Sequence, residues 1–175
     1  MATGSTPHSQ AGTYTVNLNA GWNAFSVPVY SPDDTMAEIV GSTCSSSTVW
    51  RYDSATGKYS KVGSLSVGSR LPSSVGLLVK VQASCSVTLG GSYQVDFDGL
   101  SLYSGWNFIG APSQPLNFKG VSAACSVTSG LWRYNSESHK YQKAEVLQPG
   151  EAYFVKVDGS CTLSALHDEM PPSPE

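Results

Sequence analysis

The chain repeats itself. Gly21-Trp22-Asn23-Ala24-Phe25-Ser26-Val27-Pro28 returns as Gly105-Trp106-Asn107-Phe108-Ile109-Gly110-Ala111-Pro112. Trp50-Arg51-Tyr52 returns as Trp132-Arg133-Tyr134, and Lys58-Tyr59-Ser60-Lys61 as Lys140-Tyr141-Gln142-Lys143. Leu78-Val79-Lys80-Val81 returns as Phe154-Val155-Lys156-Val157. The order is kept, and the offset shortens only through small loop deletions. Self-similarity of this kind marks a duplicated structural unit. It divides the chain into a linker at 1–12, one copy at 13–90, a second at 91–166 and a Pro-rich tail at 167–175. The junction Leu89-Gly90-Gly91-Ser92 is short, which predicts close packing of the two copies.

Each copy reads as strands. Tyr14-Thr15-Val16-Asn17-Leu18 and Tyr93-Gln94-Val95-Asp96-Phe97 alternate apolar with polar residues, the period of a half-buried strand. Residues 22–29 and 106–111 read as second strands that stop at a proline. Asp53-Ser54-Ala55-Thr56-Gly57 joins two strand signals as a hairpin turn, and Asn135-Ser136-Glu137-Ser138-His139 fills the same place in the second copy. Residues 76–81 and 152–157 are further strands. A helix is expected over 31–41, because Ser31-Pro32-Asp33-Asp34 supplies a cap, a first-turn proline and acids, and Gly41 ends it. Its counterpart over 118–124 is weaker. The expected fold is all-β: two tandem small barrel- or sandwich-like repeats, each with at most one short helix.

Two cysteines fall at equivalent places in each copy. Among the three possible pairings, the duplication selects Cys44–Cys85 and Cys125–Cys161, one disulfide per repeat. Zinc is disfavoured because paired Cys-x₂-Cys spacing is absent. Disulfides imply an oxidising compartment, so the chain is expected to be extracellular, secreted or on a cell surface. No charged-then-apolar segment opens it, so it reads as part of a longer precursor.

Several function classes are disfavoured by the sequence. Charged residues are only 13% of the chain and the net charge is −3, which argues against nucleic acid. No apolar run reaches membrane-spanning length. His8 and His167 lie in the tails and His139 in a hairpin loop, none beside a nucleophile motif. Asp33-Asp34 read as a helix start. Asp96 and Asp98 share a strand face, but copy one has Asn17 and Asn19 there, and amides cannot serve as acid or base. A Ca²⁺ ion at Asp96 and Asp98 is a lesser alternative. No cofactor, metal site or catalytic residue is expected.

What the copies share is aromatic and basic. Trp50, Arg51, Tyr52 and Tyr59 have counterparts in Trp132, Arg133, Tyr134 and Tyr141, and these eight are the candidate binding residues. Trp and Tyr stack on sugar rings and anchor protein partners. The competing reading is core: alternation puts Trp50 and Tyr52 on one face and Val49 and Arg51 on the other, suiting rings inward and Arg outward. Trp22 and Trp106 read as core in the same way. The lysines read as a solvated face that discourages edge pairing.

The Gly-Trp-Asn string, a hydrophobic pair before Pro, then Trp-Arg-Tyr, Lys-Tyr, Pro149-Gly150 and Tyr153-Phe154-Val155-Lys156-Val157 resembles the Gly-Trp-Asn modules of secreted and cell-envelope proteins of bacteria and archaea. The resemblance covers 14–90 and 93–165. Copy one departs from it at Ser73-Ser74-Val75-Gly76-Leu77, where the Pro-Gly turn is missing. It implies an accessory surface module and carries over no active site. The leading expectation is a non-catalytic spacer, assembly or adhesion unit of a larger surface protein, with a protein or polysaccharide partner. A carbohydrate-binding module that targets an attached enzyme is the second, and a secreted inhibitor or binding protein the third. Exposure of the paired rings separates the first two.

Overall fold

The computed structural model describes residues 11–30, 44, 48–61, 75–93 and 100–163. The expected helix over 31–41, Asp96, Asp98, His8 and His167 lie outside the described residues. Copy one forms β1 (Ala11–Leu18), β2 (Gly21–Phe25), β3 (Val29–Tyr30), β4 (Thr48–Asp53), β5 (Lys58–Lys61), β6 (Leu77–Val81) and β7 (Cys85–Tyr93). Copy two forms β8 (Ser101–Leu102), β9 (Gly105–Gly110), β10 (Leu116–Asn117), β11 (Ser126–Asn135), β12 (Lys140–Ala144), β13 (Val146–Leu147), β14 (Ala152–Asp158) and β15 (Cys161–Thr162). A one-turn helix, Phe118–Val121, starts at Asn117, whose side chain accepts from the Lys119 amide.

The fold is all-β. Each copy is built on one antiparallel four-stranded sheet, ordered β2-β6-β4-β5 in copy one and β9-β14-β11-β12 in copy two. Smaller sheets cover its inner face: β1-β7-β3 in copy one, β8-β15 and β10-β13 in copy two. The sheets do not close into barrels; the arrangement is sandwich-like. Ala11 and Gly12 belong to β1, and β7 runs through Gly90-Gly91 to Tyr93, so these two residues of the expected linker, and the junction, are strand. Ladder pairing with β1, from Leu18↔Cys85 to Ala11↔Ser92, draws them in.

Two separate cores result. Phe25, Val49, Leu77, Val79 and Val81 of the first large sheet meet Val16, Leu18, Val87 and Leu89 of its cover. In copy two Ile109, Leu131, Tyr153, Val155 and Val157 meet Leu102, Leu116, Leu147 and Leu163. At roughly 1.5–3 kcal/mol for each large apolar side chain buried, these two apolar sets supply most of the driving force. Cys44–Cys85 and Cys125–Cys161 staple the copies, closing separations of 41 and 36 residues.

The shared Gly-Trp-Asn string has a local cause. Gly21 and Gly105 sit at φ +101° and +103°, where a side chain would be strained. Asn23 and Asn107 are buried and lace the preceding turn shut. The Asn23 side chain accepts from the Asn19 amide and donates to the Asn19 and Gly21 carbonyls; Asn107 repeats this with Tyr103 and Gly105. Glycine and asparagine thus serve the turn, while the tryptophan between them does not enter the core: Trp22 and Trp106 are 40% and 41% exposed.

Candidate functional site

The expected inward rings point the other way. Val49 and Leu131 are buried, whereas Trp50, Tyr52, Trp132 and Tyr134 are half-buried on the outer face of their sheets. Alternation fixes which residues share a face but not which face is interior. Val49 joins Leu77, Val79, Val81 and Phe25 in an apolar layer that fills the sandwich, and the Trp50 and Tyr52 rings are left outside. A signal was present: Lys61 lies opposite Trp50 and Lys80 opposite Trp22 in register, and a face that carries lysines is a poor interior for a small sandwich.

The two outer faces lean on each other. Strand β4 lies against β9, and β11 against β2, each pair the counterpart of the other, giving an approximately two-fold junction. The Ser26 amide donates to the Gly150 carbonyl at 2.9 Å and its hydroxyl to the Glu151 carbonyl at 2.6 Å. The Gly76 amide donates to the Phe108 carbonyl at 3.2 Å, and the Asn19 side chain to the Ser136 hydroxyl at 2.8 Å. Tyr14 and Ser113 donate their hydroxyls to the Pro149 and Pro28 carbonyls. Gly76 has no room for more: a Cβ there would stand 2.6 Å from the Phe108 ring.

At this junction both copies contribute rings to one open cleft of about 430 Å³, lined by Tyr52, Tyr59, Trp106, Trp132, Tyr141 and Phe154. Phe154 is its centre. It stacks on Phe108 at 4.2 Å and meets Tyr52, Tyr141 and Trp106 edge-on at 5.7, 6.0 and 6.3 Å. Tyr52 and Tyr59 pair across β4 and β5 with centroids 5.1 Å apart. Register shifts in β11 between Val127 and Leu131, where Gly130 takes φ +73°. The resulting bulge holds Trp132, whose indole N–H donates to the Ser129 carbonyl at 2.8 Å. Tyr59, Trp106 and Tyr141 remain 47%, 41% and 52% exposed. Burial first, and neighbouring tyrosines second, push the Tyr59 phenol above its ordinary range; burial and Tyr134 do the same to Tyr141. Both phenols therefore stay neutral at physiological pH and serve as hydrogen-bonding rims to apolar rings.

Of the eight candidates, the cleft gathers Tyr52, Tyr59, Trp132 and Tyr141. Trp50 lies on the same outer face of copy one, beneath Lys61 at 5.5 Å. Tyr134 leaves the cleft and bonds the His139 Nδ1 at 3.1 Å. His139 stands at φ 54° in the place of Gly57, an exposed residue of the hairpin. Arg51 is exposed, and Arg133 is turned toward copy two's Pro-Gly corner, where it pairs with Glu151 at 2.7 Å. Glu151 also accepts from the Tyr153 hydroxyl at 2.9 Å, and burial drives that phenol far above its ordinary range. Trp106 and Phe154 were not among the expected site residues. Their strand partners announce them, since Lys156 lies two residues from Phe154 and opposite Trp106.

The cleft offers flat apolar surface with polar edges, and none of its six residues is an acid, a general base at neutral pH or an activated nucleophile. The chain matches no family model, and neither a curated protein nor a solved structure shows significant similarity to it.

Proposed function

We propose that this chain is a non-catalytic extracellular module of a larger secreted or surface protein, and that it binds carbohydrate through the aromatic cleft between its two copies. The observation that carries this reading is the cleft itself: rings left half-exposed where the aliphatic core has no use for them. Pyranose rings present C–H faces to indole and phenol surfaces, and their hydroxyls find the tyrosine rims. Two disulfides are compatible with an extracellular location. The resemblance to Gly-Trp-Asn surface modules points to the same accessory role. A purely spacing or adhesive unit gives no reason for the same exposed tryptophan in both copies.

Affinity electrophoresis through gels holding single soluble polysaccharides, neutral and acidic, tests the proposal. Retardation by at least one glycan is expected, and Trp106→Ala with Trp132→Ala should abolish it while both disulfides remain formed. Reducing-sugar release from the same glycans should stay at the blank. Free migration through every gel overturns the binding reading, and measurable turnover overturns the non-catalytic one.

A further inference from the structure

The outer faces carry a second regularity. All four tryptophans of the chain have a lysine directly across a strand pair: Trp22↔Lys80, Trp50↔Lys61, Trp106↔Lys156 and Trp132↔Lys143. Three of these ammoniums stand 5.5–5.9 Å from their indole centroids. Cation–π attraction at such exposed sites contributes only about 0.5–1 kcal/mol, too little to explain four matched pairs as a stability device. The four lysines are exposed, and the only ion pair among the described residues is Arg133–Glu151, on the other side of its sheet. Of the described carboxylates only Asp158, at the end of β14, falls on the same face of the four-stranded sheets as the lysines. A chain with net charge −3 thus presents a face where cations outnumber acids.

Resting on the carbohydrate reading above, we propose that the ligand is an anionic polysaccharide whose sugar rings carry carboxylates. A uronate needs two things within one residue's reach: a flat apolar surface for the ring and an ammonium for the exocyclic carboxylate. Each Trp–Lys pair supplies both. Trp132 with Lys143 and Trp106 with Lys156 do so at the cleft, and Trp50 with Lys61 and Trp22 with Lys80 continue the pattern over copy one. An ammonium beside the indole, rather than one buried in an ion pair, keeps its charge available to the ligand. The same pattern on both copies suits a polymer that crosses the junction and meets several pairs in turn.

Polygalacturonate and its fully methyl-esterified form share a backbone and differ in charge, so they isolate the lysines' part. At about 50 mM NaCl the free acid should bind about tenfold more tightly than the ester, and the difference should shrink at about 500 mM as screening weakens the ammonium–carboxylate attraction. Lys61→Gln, Lys80→Gln, Lys143→Gln and Lys156→Gln together should remove the preference and leave ester binding unchanged. Polyglutamate, charged but without sugar rings, should bind no better than the ester. Equal affinity for acid and ester overturns the inference, as does a preference that survives the lysine substitutions or a polyglutamate affinity matching polygalacturonate. A protein retarded by a neutral glycan yet indifferent to polygalacturonate overturns the anionic inference alone. One that binds no glycan overturns both.

Discussion

The two copies share a plan and differ in what they put on their outer faces. Copy one has Ala24, Gly76 and Leu78 where copy two has Phe108, Ala152 and Phe154. Those differences make the cleft lopsided. Copy two supplies the floor, a Phe108–Phe154 stack flanked by Trp106 and Trp132, and copy one the wall, Tyr52 and Tyr59. Gly76 lets the Phe108 ring in, and the phenyl pair then gives the Tyr52 ring something to stand on. The interiors diverge too. Leu77 is matched by Tyr153, whose hydroxyl is satisfied by the Gln148 amide and Glu151, so a polar tip was accommodated only where the Pro-Gly corner provides partners. A duplication has become one cleft with two unlike halves.

The largest expected effect tests what the copies keep in common. Cys44→Ala with Cys85→Ala, and Cys125→Ala with Cys161→Ala, should each cost roughly 4 kcal/mol in chemical denaturation, since the chain-entropy model gives nearly equal values for loops of such similar length. A loss confined to one of the two would show that the copies do not stand on equivalent staples.

Next comes the position that admits the junction. Gly76→Ala should destabilise by about 1–3 kcal/mol, because the new methyl meets a Phe108 ring held in its stack. The equivalent position in copy two, Ala152, already carries that methyl, so Ala152→Gly should cost no more than about 1 kcal/mol of backbone entropy. A neutral Gly76→Ala, measured by thermal unfolding, would break the asymmetry argued here.

The sequence made the repeat, the strands, the cysteine pairing and the face-sharing of alternate residues legible, because these depend on spacing within one copy. It led the reading astray where a choice between faces was needed. Trp50 and Tyr52 outweigh Val49 and Arg51 in apolar area, so rings-inward looked better. The decision was made by residues elsewhere along the chain: Phe25, Leu77, Val79 and Val81, whose apolar side chains tile the interior together with Val49. The cleft was less legible still. Tyr52 and Tyr59 meet Trp106 and Phe154 only because the copies dock, and docking rests on Ser26, Gly76 and Tyr14 reaching backbone groups in the other copy, contacts that no periodicity announces.

A smaller effect separates the two hairpins. Asp53 accepts from the Ala55 amide in copy one, and Asn135 accepts from the Glu137 and Ser138 amides at the same place in copy two. The Thr56 hydroxyl, followed by the Ala55 amide, holds the Asp53 carboxyl below its ordinary range. A depressed folded value means the stabilisation is present above the unfolded carboxylate range and fades as pH falls through the folded one. Asn135 does not titrate. Amide exchange at the tip of the first hairpin should therefore quicken on strong acidification relative to the second, and equal behaviour of the two tips would contradict this difference.

Assembly of one binding site from both copies is open to calorimetric titration with polygalacturonate. Tyr52→Ala with Tyr59→Ala removes only copy one's wall; Trp106→Ala with Trp132→Ala removes only the two indoles that flank copy two's floor. If the site is shared, each double variant loses binding although the other copy is untouched, with unfolding midpoints near that of the parent chain. Undiminished affinity in the Tyr52 and Tyr59 variant would place the site on copy two alone and contradict the account.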